Sequence, residues 1–347
     1  MISSHAFMGQ VSSHVRTLKS GLILQVSRIK RYNYGMPHAF VVLNPVSGLG
    51  DPTLFRHLME DVFAQGGWTF TLYETTGTEI VRDVVRTNLK WNPDMVVACG
   101  GDGTISQVAS GLVGSDIPLG AVPLGTWNAL ARNMSVPFLP EDALRLMTGP
   151  HSCLDLDGLE VNDNIYLINV GCGFSSSMIG STDRAAKRRF GFLAYIWNLI
   201  LQLIGLRRIG FHLIIDQKHR KLRSAEVMVV NSGLLGLREL PTRLNIYPND
   251  GKAEVCIFKP RSILSMPSVA WNILVSRKNR HPEFRYFTAH SSVSIKTKKP
   301  IPVQGDGELI GKTPVEIRVI HHAVRLIVPE NLPFLKSPHP EKLARQV

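Results

Sequence analysis

The segment Gly100-Gly101-Asp102-Gly103-Thr104 places one carboxylate among three glycines at the end of the apolar run Val96-Val97-Ala98-Cys99. Glycine permits positive φ and close backbone approach, so consecutive amide N–H groups in such a loop can face an anion. Asp102 stands where a metal ion or a ribose would need an acceptor. Behind it, residues 104–113 carry the pattern of an amphipathic helix, with Thr104 placed as a hydroxyl cap and Ser106 in the first turn. The helix N-terminus would then point at phosphates.

Two other stretches repeat this arrangement. Phe40-Val41-Val42-Leu43 runs into the small-residue loop Asn44-Pro45-Val46-Ser47-Gly48-Leu49-Gly50, followed by a helical pattern over 52–65. Ala121-Val122-Pro123-Leu124 runs into Gly125-Thr126-Trp127-Asn128-Ala129. Three strand-to-loop-to-helix junctions converge at the carboxyl edge of a parallel sheet, which is where such sheets bind ligands.

A second source of chemistry lies near the other end of the chain, at Gly305-Asp306-Gly307-Glu308. Side chains two apart point the same way in extended backbone, so Asp306 and Glu308 are predicted to face one site, where either could accept a proton. Asp-Gly also suits a hairpin turn. The adjoining Gly307-Glu308-Leu309-Ile310-Gly311-Lys312-Thr313 nearly spells a phosphate-binding P-loop, yet it has three residues between its glycines instead of four and a β-rich context. A P-loop needs a strand before it and a helix after, so this one is rejected.

The elements that must position these residues fall into two groups. Over 38–150, strands at Phe40–Leu43, Trp68–Glu74, Met95–Cys99 and Leu119–Val122 alternate with helices, predicting an α/β domain. Beyond the Thr148-Gly149-Pro150 break, alternating segments dominate: Ile165–Val170, Phe211–Asp216, Glu226–Asn231, Arg243–Tyr247, Ala253–Phe258, Ser292–Lys296 and Val315–Val319. These predict an antiparallel β-sandwich over 151–322.

The three loop motifs, with Gly191-Phe192-Leu193-Ala194-Tyr195, Asn249-Asp250-Gly251 and Gly305-Asp306-Gly307-Glu308, resemble the diacylglycerol kinase catalytic domain. That family includes bacterial lipid kinases and diacylglycerol, sphingosine and ceramide kinases, and is distantly similar to NAD kinases. The likeness spans about residues 38–330. It implies a nucleotide-binding α/β domain followed by a β-rich domain, with the last strand, here Ala323–Pro329, returning to the first domain near 323–335. It further implies ATP and Mg²⁺. The nucleotide would be contacted by Asn44, Pro45, Ser47, Gly48, Thr75, Gly100, Gly101, Asp102, Gly103, Thr104, Ser106, Gly125, Thr126 and Asn128. The catalytic set would be Glu308, Asp306 and Asp102. A structural Mg²⁺ would take Asp250 with carbonyls of Tyr247 and Lys252, and Asp157, or Asp155 in its stead, would join the active-site metal network. Many members carry Asp after the Asn of the third loop; Ala129 stands there, as in sphingosine kinases.

Composition fits a globular chain of about two domains: 347 residues, 44% hydrophobic and 19% charged. Four dispersed cysteines form no metal or disulfide pattern and suit a reducing cytoplasm. The net charge of +12 is concentrated. Residues 1–37 hold five basic and no acidic side chains, and residues 184–223 hold ten against one.

Between Arg188-Arg189 and Arg207-Arg208 lies the apolar stretch 190–206, containing Phe190, Phe192, Tyr195 and Trp197. Aromatics flanked by arginines suit a membrane interface, although 17 residues are short for a span. The reading is therefore an ATP-dependent kinase of a membrane-lipid hydroxyl, diacylglycerol or sphingoid in type. It would be cytoplasmic and peripheral at the inner membrane face, touching anionic lipid through its basic segments and not nucleic acid, with a homodimer allowed. Residues 1–37 are read as a disordered or membrane-associated extension. The competing readings are a kinase of a soluble acceptor such as NAD and a catalytically silent lipid- or nucleotide-binding relative.

Overall fold

The computed structural model describes residues 35–48, 51–176, 208–232, 247–260 and 283–332. The apolar stretch 190–206, the expected strand start at Arg243 and nearly all of the N-terminal extension lie outside the described residues.

The first half alternates β1 (His38–Leu43), α1 (Pro52–Gln65), β2 (Thr69–Glu74), α2 (Val81–Leu89), β3 (Met95–Gly100), α3 (Asp102–Leu112) and β4 (Leu119–Pro123), then α4 (Ala129–Met134) and α5 (Pro140–Thr148). The strands pair in parallel in the order β2-β1-β3-β4. Every residue of β3 is buried, which is why its sequence is a continuous apolar run without alternation. Helix α1 starts where Asp51 accepts from the Thr53 amide and Pro52 fixes the first turn; Phe55, Met59, Val62 and Phe63 then form its buried stripe.

The second half contains β5 (Ser152–Val161), β6 (Asn164–Tyr166), β7 (Asn169–Gly173), β8 (Ile209–Ile215), β9 (Lys218–Ser224), β10 (Glu226–Val230), β11 (Ala253–Phe258), β12 (Phe284–Ala289), β13 (Ser292–Thr297), β14 (Pro302–Gly305), β15 (Glu308–Lys312) and β16 (Val315–Val328). One sheet, β12-β11-β10-β7-β14-β15, is antiparallel throughout. It packs on β5, β16, β13 and β8 through Leu159, Val170, Cys172, Leu213, Val229, Val255, Ile295 and Ile317, making a β-sandwich.

Strand β16 joins the two halves. Its first part pairs with β13 and β5, its register shifts between Ile320 and Val324, and Leu326 then lies beside Leu119 of β4 in parallel. A single ten-stranded sheet therefore runs through both halves.

The structure corrects three local expectations and adds one strand that was not expected. Residues 165–170 do not form one strand, because the amides of Leu167, Ile168 and Asn169 turn inward to a buried carboxylate. The segments 315–319 and 323–329 are one strand bent at His322, whose φ is +45°. Helix α3 begins at Asp102 with Gly101 as its N-cap, so Thr104 lies inside the first turn and no side chain caps the helix. Strand β9, Lys-His-Arg-Lys-Leu-Arg-Ser, carries a strand's alternation in too few apolar residues to stand out as one.

Candidate active site

The three glycine-bearing loops are tied to one another by backbone and side-chain hydrogen bonds at the strand ends. The Asn44 amide donates to the Cys99 carbonyl and the Leu124 amide to the Gly100 carbonyl, both at 2.9 Å. Asn44 Nδ2 donates to Thr104 Oγ1 at 3.1 Å, while its Oδ1 accepts from the Val46 amide. The Ser47 amide closes the turn after Pro45 by donating to the Asn44 carbonyl, and the Thr75 amide donates to that of Leu43. Gly48 has φ +73°. A Cβ on Gly125 would stand 2.7 Å from the Gly101 Cα, so only glycines let these loops approach so closely.

Asn128, at φ +49°, folds the third loop back on itself: its Oδ1 accepts from the Gly125 amide and its Nδ2 donates to the Gly125 carbonyl. Thr126 is left exposed beside it. Asp102 accepts from the amides of Ala129 at 3.0 Å and Leu130 at 3.1 Å, so its carboxylate caps α4. Burial raises its pKa, against the opposing pull of those amides. The uncapped first turn of α3 thus presents its amides beside this carboxylate, an arrangement that fits a phosphate chain with a cation alongside.

Across from these loops, Asp306 at φ +48° and Gly307 at φ +86° form the two-residue turn between β14 and β15. Both carboxylates lie against α3, Asp306 at Ser106 and Glu308 one helical turn away at Gly103. Asp306 turns inward and is buried. It accepts from Ser106 Oγ at 2.5 Å and from the amides of Leu167, Ile168 and Asn169 at 2.8–3.0 Å. Burial pushes its carboxyl up to about 6 despite these donors.

Glu308 is exposed and lies over α3: a Cβ built on Gly103 would be 2.0 Å from its Oε1. Gly103 therefore leaves the space that the Glu308 carboxylate fills. Two supports escaped the sequence reading. Gln304 donates to Asn169 Oδ1 at 2.6 Å and accepts from the Gly307 amide at 2.9 Å. The Tyr166 ring packs on Gly305, and its hydroxyl is raised to about 12 by burial and then by the charges of Asp306 and Glu308. Glycine spacing beside a turn hinted at both, but only the fold reveals which side chains fill the gaps.

The remaining acids form a separate cluster. Asp157 is fully buried, with Oδ2 accepting from the Gly251 amide at 2.6 Å and Oδ1 from the His322 amide at 2.9 Å. Asp250 accepts from the Lys252 amide, and burial raises its pKa, with the Asp157 charge adding to the rise. Tyr247 opens this loop, and the Asp157 amide donates to the Pro248 carbonyl. Asp155 is engaged elsewhere, paired with Arg325 at 2.8 Å. Among the described residues no three His, Cys, Asp or Glu side chains gather as a metal-binding group, so a cation here would rest on Asp250 with backbone carbonyls and water. The near-P-loop residues 308–312 are strand β15, with no helix after them.

Residues 38–156 match the model of the diacylglycerol kinase catalytic domain, and residues 169–328 match that of the YegS C-terminal NAD kinase beta sandwich-like domain. The chain is thus similar to the diacylglycerol kinase catalytic domain over its first half and to that sandwich domain over its second. A Synechocystis sp. protein of uncharacterized role is 26% identical over 311 residues, covering 83% of this chain and 70% of its own. A Staphylococcus aureus protein provisionally named a lipid kinase is 23% identical over 261 residues, 72% of this chain and 82% of its own. A solved diacylglycerol kinase structure from Bacillus anthracis shares the fold, with a TM-score of 0.70 at 20% identity over 86% of this chain and 99% of that one. A kinase catalytic domain of this kind implies use of ATP. No helix among the described residues is long and apolar enough to cross a membrane.

Proposed function

We propose that this protein transfers the γ-phosphoryl group of ATP to a hydroxyl of a membrane lipid. The observation that carries the reading is the placement of the Glu308 carboxylate over Gly103, against the uncapped first turn of α3. Phosphoryl transfer through a loose transition state needs charge neutralised on the β- and γ-phosphates, an acceptor held in line, and a base for its proton. The amides of the first turn of α3, with those of Gly48 and Thr126 in the flanking loops, hold the phosphates. Glu308 accepts the proton of the attacking hydroxyl. Asp306 holds the hairpin that presents Glu308, and Ser106 links that hairpin to α3.

Mg²⁺ bound to the nucleotide would supply the remaining charge neutralisation, with Asp102 beside it, while Asp157, held by the Gly251 and His322 amides, is not placed to join it. A second Mg²⁺ would be structural, taken by Asp250 with carbonyls of Tyr247 and Lys252. The buried Ala129, in place of the second acid common in the family, leaves Asp102 as the carboxylate of this corner, as in sphingosine kinases, and counts against diacylglycerol in particular but not against a lipid alcohol. The working place would be the cytoplasmic membrane face. The NAD kinase-like description of the sandwich supports a second reading, phosphorylation of a soluble acceptor such as NAD.

The two are separated by incubating the purified protein with labelled ATP, Mg²⁺, NAD and a panel of lipids in mixed micelles. Label in a lipid alcohol is the expected outcome. Label in NAD alone, or in neither, would overturn the reading.

A further inference from the structure

On the outer face of the sandwich, β9, β8 and β13 enclose a trough of about 560 Å³. Lys221, Arg223, His212, Lys296 and Lys298 line it, and no lining residue is acidic. The pairing of the strands sets the arrangement: His212 of β8 sits between Lys221 of β9 and Lys296 of β13, and Gly210 lies opposite Arg223. Gly210 has open space above it, so the floor is bare backbone with cations on both sides. Among the described residues, none of the four lysine and arginine side chains is in an ion pair.

A simpler account is that Lys and Arg on β9 blunt an unpaired sheet edge against aggregation. That account covers Lys221 and Arg223 but not Lys296 and Lys298, which lie two strands inward and converge on the same trough. Keeping four like charges together costs free energy unless an anion offsets it. The sequence entering this sheet favours a bilayer over nucleic acid. The apolar, aromatic stretch 190–206 ends in Arg207-Arg208 and leads directly into β8 at Ile209, and an apolar run of that kind has a use at a lipid interface and none on a phosphodiester backbone.

We propose that this trough docks the protein onto an anionic bilayer by taking phosphate head groups between β9 and β13. The proposal rests on the lipid-kinase reading for its purpose, but its test needs no catalysis. Flotation of the full chain would be measured with phosphatidylcholine vesicles and with vesicles containing phosphatidylglycerol. The comparison is with a variant carrying Lys221→Gln, Arg223→Gln, Lys296→Gln and Lys298→Gln, and with an equal-charge control carrying Arg86→Gln, Lys90→Gln, Arg285→Gln and Lys312→Gln. Each cation near an anionic surface contributes about fivefold to partitioning, so the trough variant should lose at least tenfold while the control loses far less.

Equal binding by the trough variant and the parent, or equal loss in both variants, would overturn the proposal. So would loss of oligonucleotide binding in the trough variant with vesicle binding unchanged. Melting curves confirm that each variant is folded. Vesicle binding that depends on the trough, in a protein that labels no lipid, would leave the docking surface standing and defeat only the kinase reading.

Discussion

The hairpin at Asp306 and Glu308 and the loop at Asp157 and Asp250 are built alike but differ in what is left exposed. In each, one acid is buried and ties separate segments by accepting hydrogen bonds: Asp306 from the Leu167, Ile168 and Asn169 amides and the Ser106 hydroxyl, and Asp157 from the Gly251 and His322 amides. A second acid stands nearby with room for chemistry. In the hairpin that acid, Glu308, lies over the first turn of α3; in the other loop Asp250 is half-buried beside Asp157. The lesson is a division of labour, in which the buried carboxylate organises the backbone and, in the proposed mechanism, its neighbour is presented to a ligand.

This comparison can be broken most severely at Asp306. Replacing it by Ala strands three buried amides and should cost roughly 4 kcal/mol of stability, with activity lost alongside; a denaturant titration showing less than 1 kcal/mol would refute its organising role. Asp157→Ala strands two amides, so a loss of about 2–3 kcal/mol is expected by the same titration. If the two variants fall in the reverse order, the parallel between the sites is wrong.

Gly103→Ala sharpens the contrast between holding and presenting. Alanine suits a helix better than glycine by up to about 1 kcal/mol, so the melting temperature should hold or rise. The added methyl takes the space of the Glu308 carboxylate, and kcat should drop about tenfold. Unchanged kcat would show that the position of Glu308 over α3 is incidental.

Asp250→Asn addresses the other loop. Mg²⁺ should raise the melting temperature of the parent by a few degrees, and the variant should lose that rise while keeping its metal-free stability. A persisting rise would remove Asp250 from the proposed cation site.

The smallest effect is on pH dependence. The folded pKa of Asp306 is raised to about 6, so the folded state binds this proton more tightly than the unfolded one. Its contribution therefore lowers stability as pH rises from about 4 to about 6, then levels off. Glu226, raised to about 7 by burial, acts in the same sense over a higher range. Asp306→Asn should flatten the lower part of the curve and leave the upper part.

Much of this arrangement was legible in the sequence because local chemistry and tertiary structure agree there. The apolar run ending at Gly100 can only be a buried strand, and Pro52 with Asp51 marks the start of α1. That Asp306 is buried and Glu308 exposed was not legible, since their spacing says nothing of burial. The left-handed turn that carries them is stabilised by amides 137–139 residues away in sequence. Asp102 was recognisable as an acid in a phosphate loop, but its bonds to the amides of Ala129 and Leu130 depend on how β3 and β4 place two loops side by side. Strand β9 escaped notice because its partner β8 and its cations, not its apolar residues, define its place.

The most direct test of the central claim is to measure kcat, the KM for ATP and the melting temperature of Glu308→Gln against the parent, with the lipid that accepts label. Glu308 is exposed and holds no backbone, so the melting temperature and the KM for ATP should be unchanged while kcat falls at least about a hundredfold, as expected for loss of a general base. A variant that keeps its kcat within a few-fold of the parent would contradict the assignment of Glu308 as the proton acceptor and, with it, the division of labour between the two acids of the hairpin.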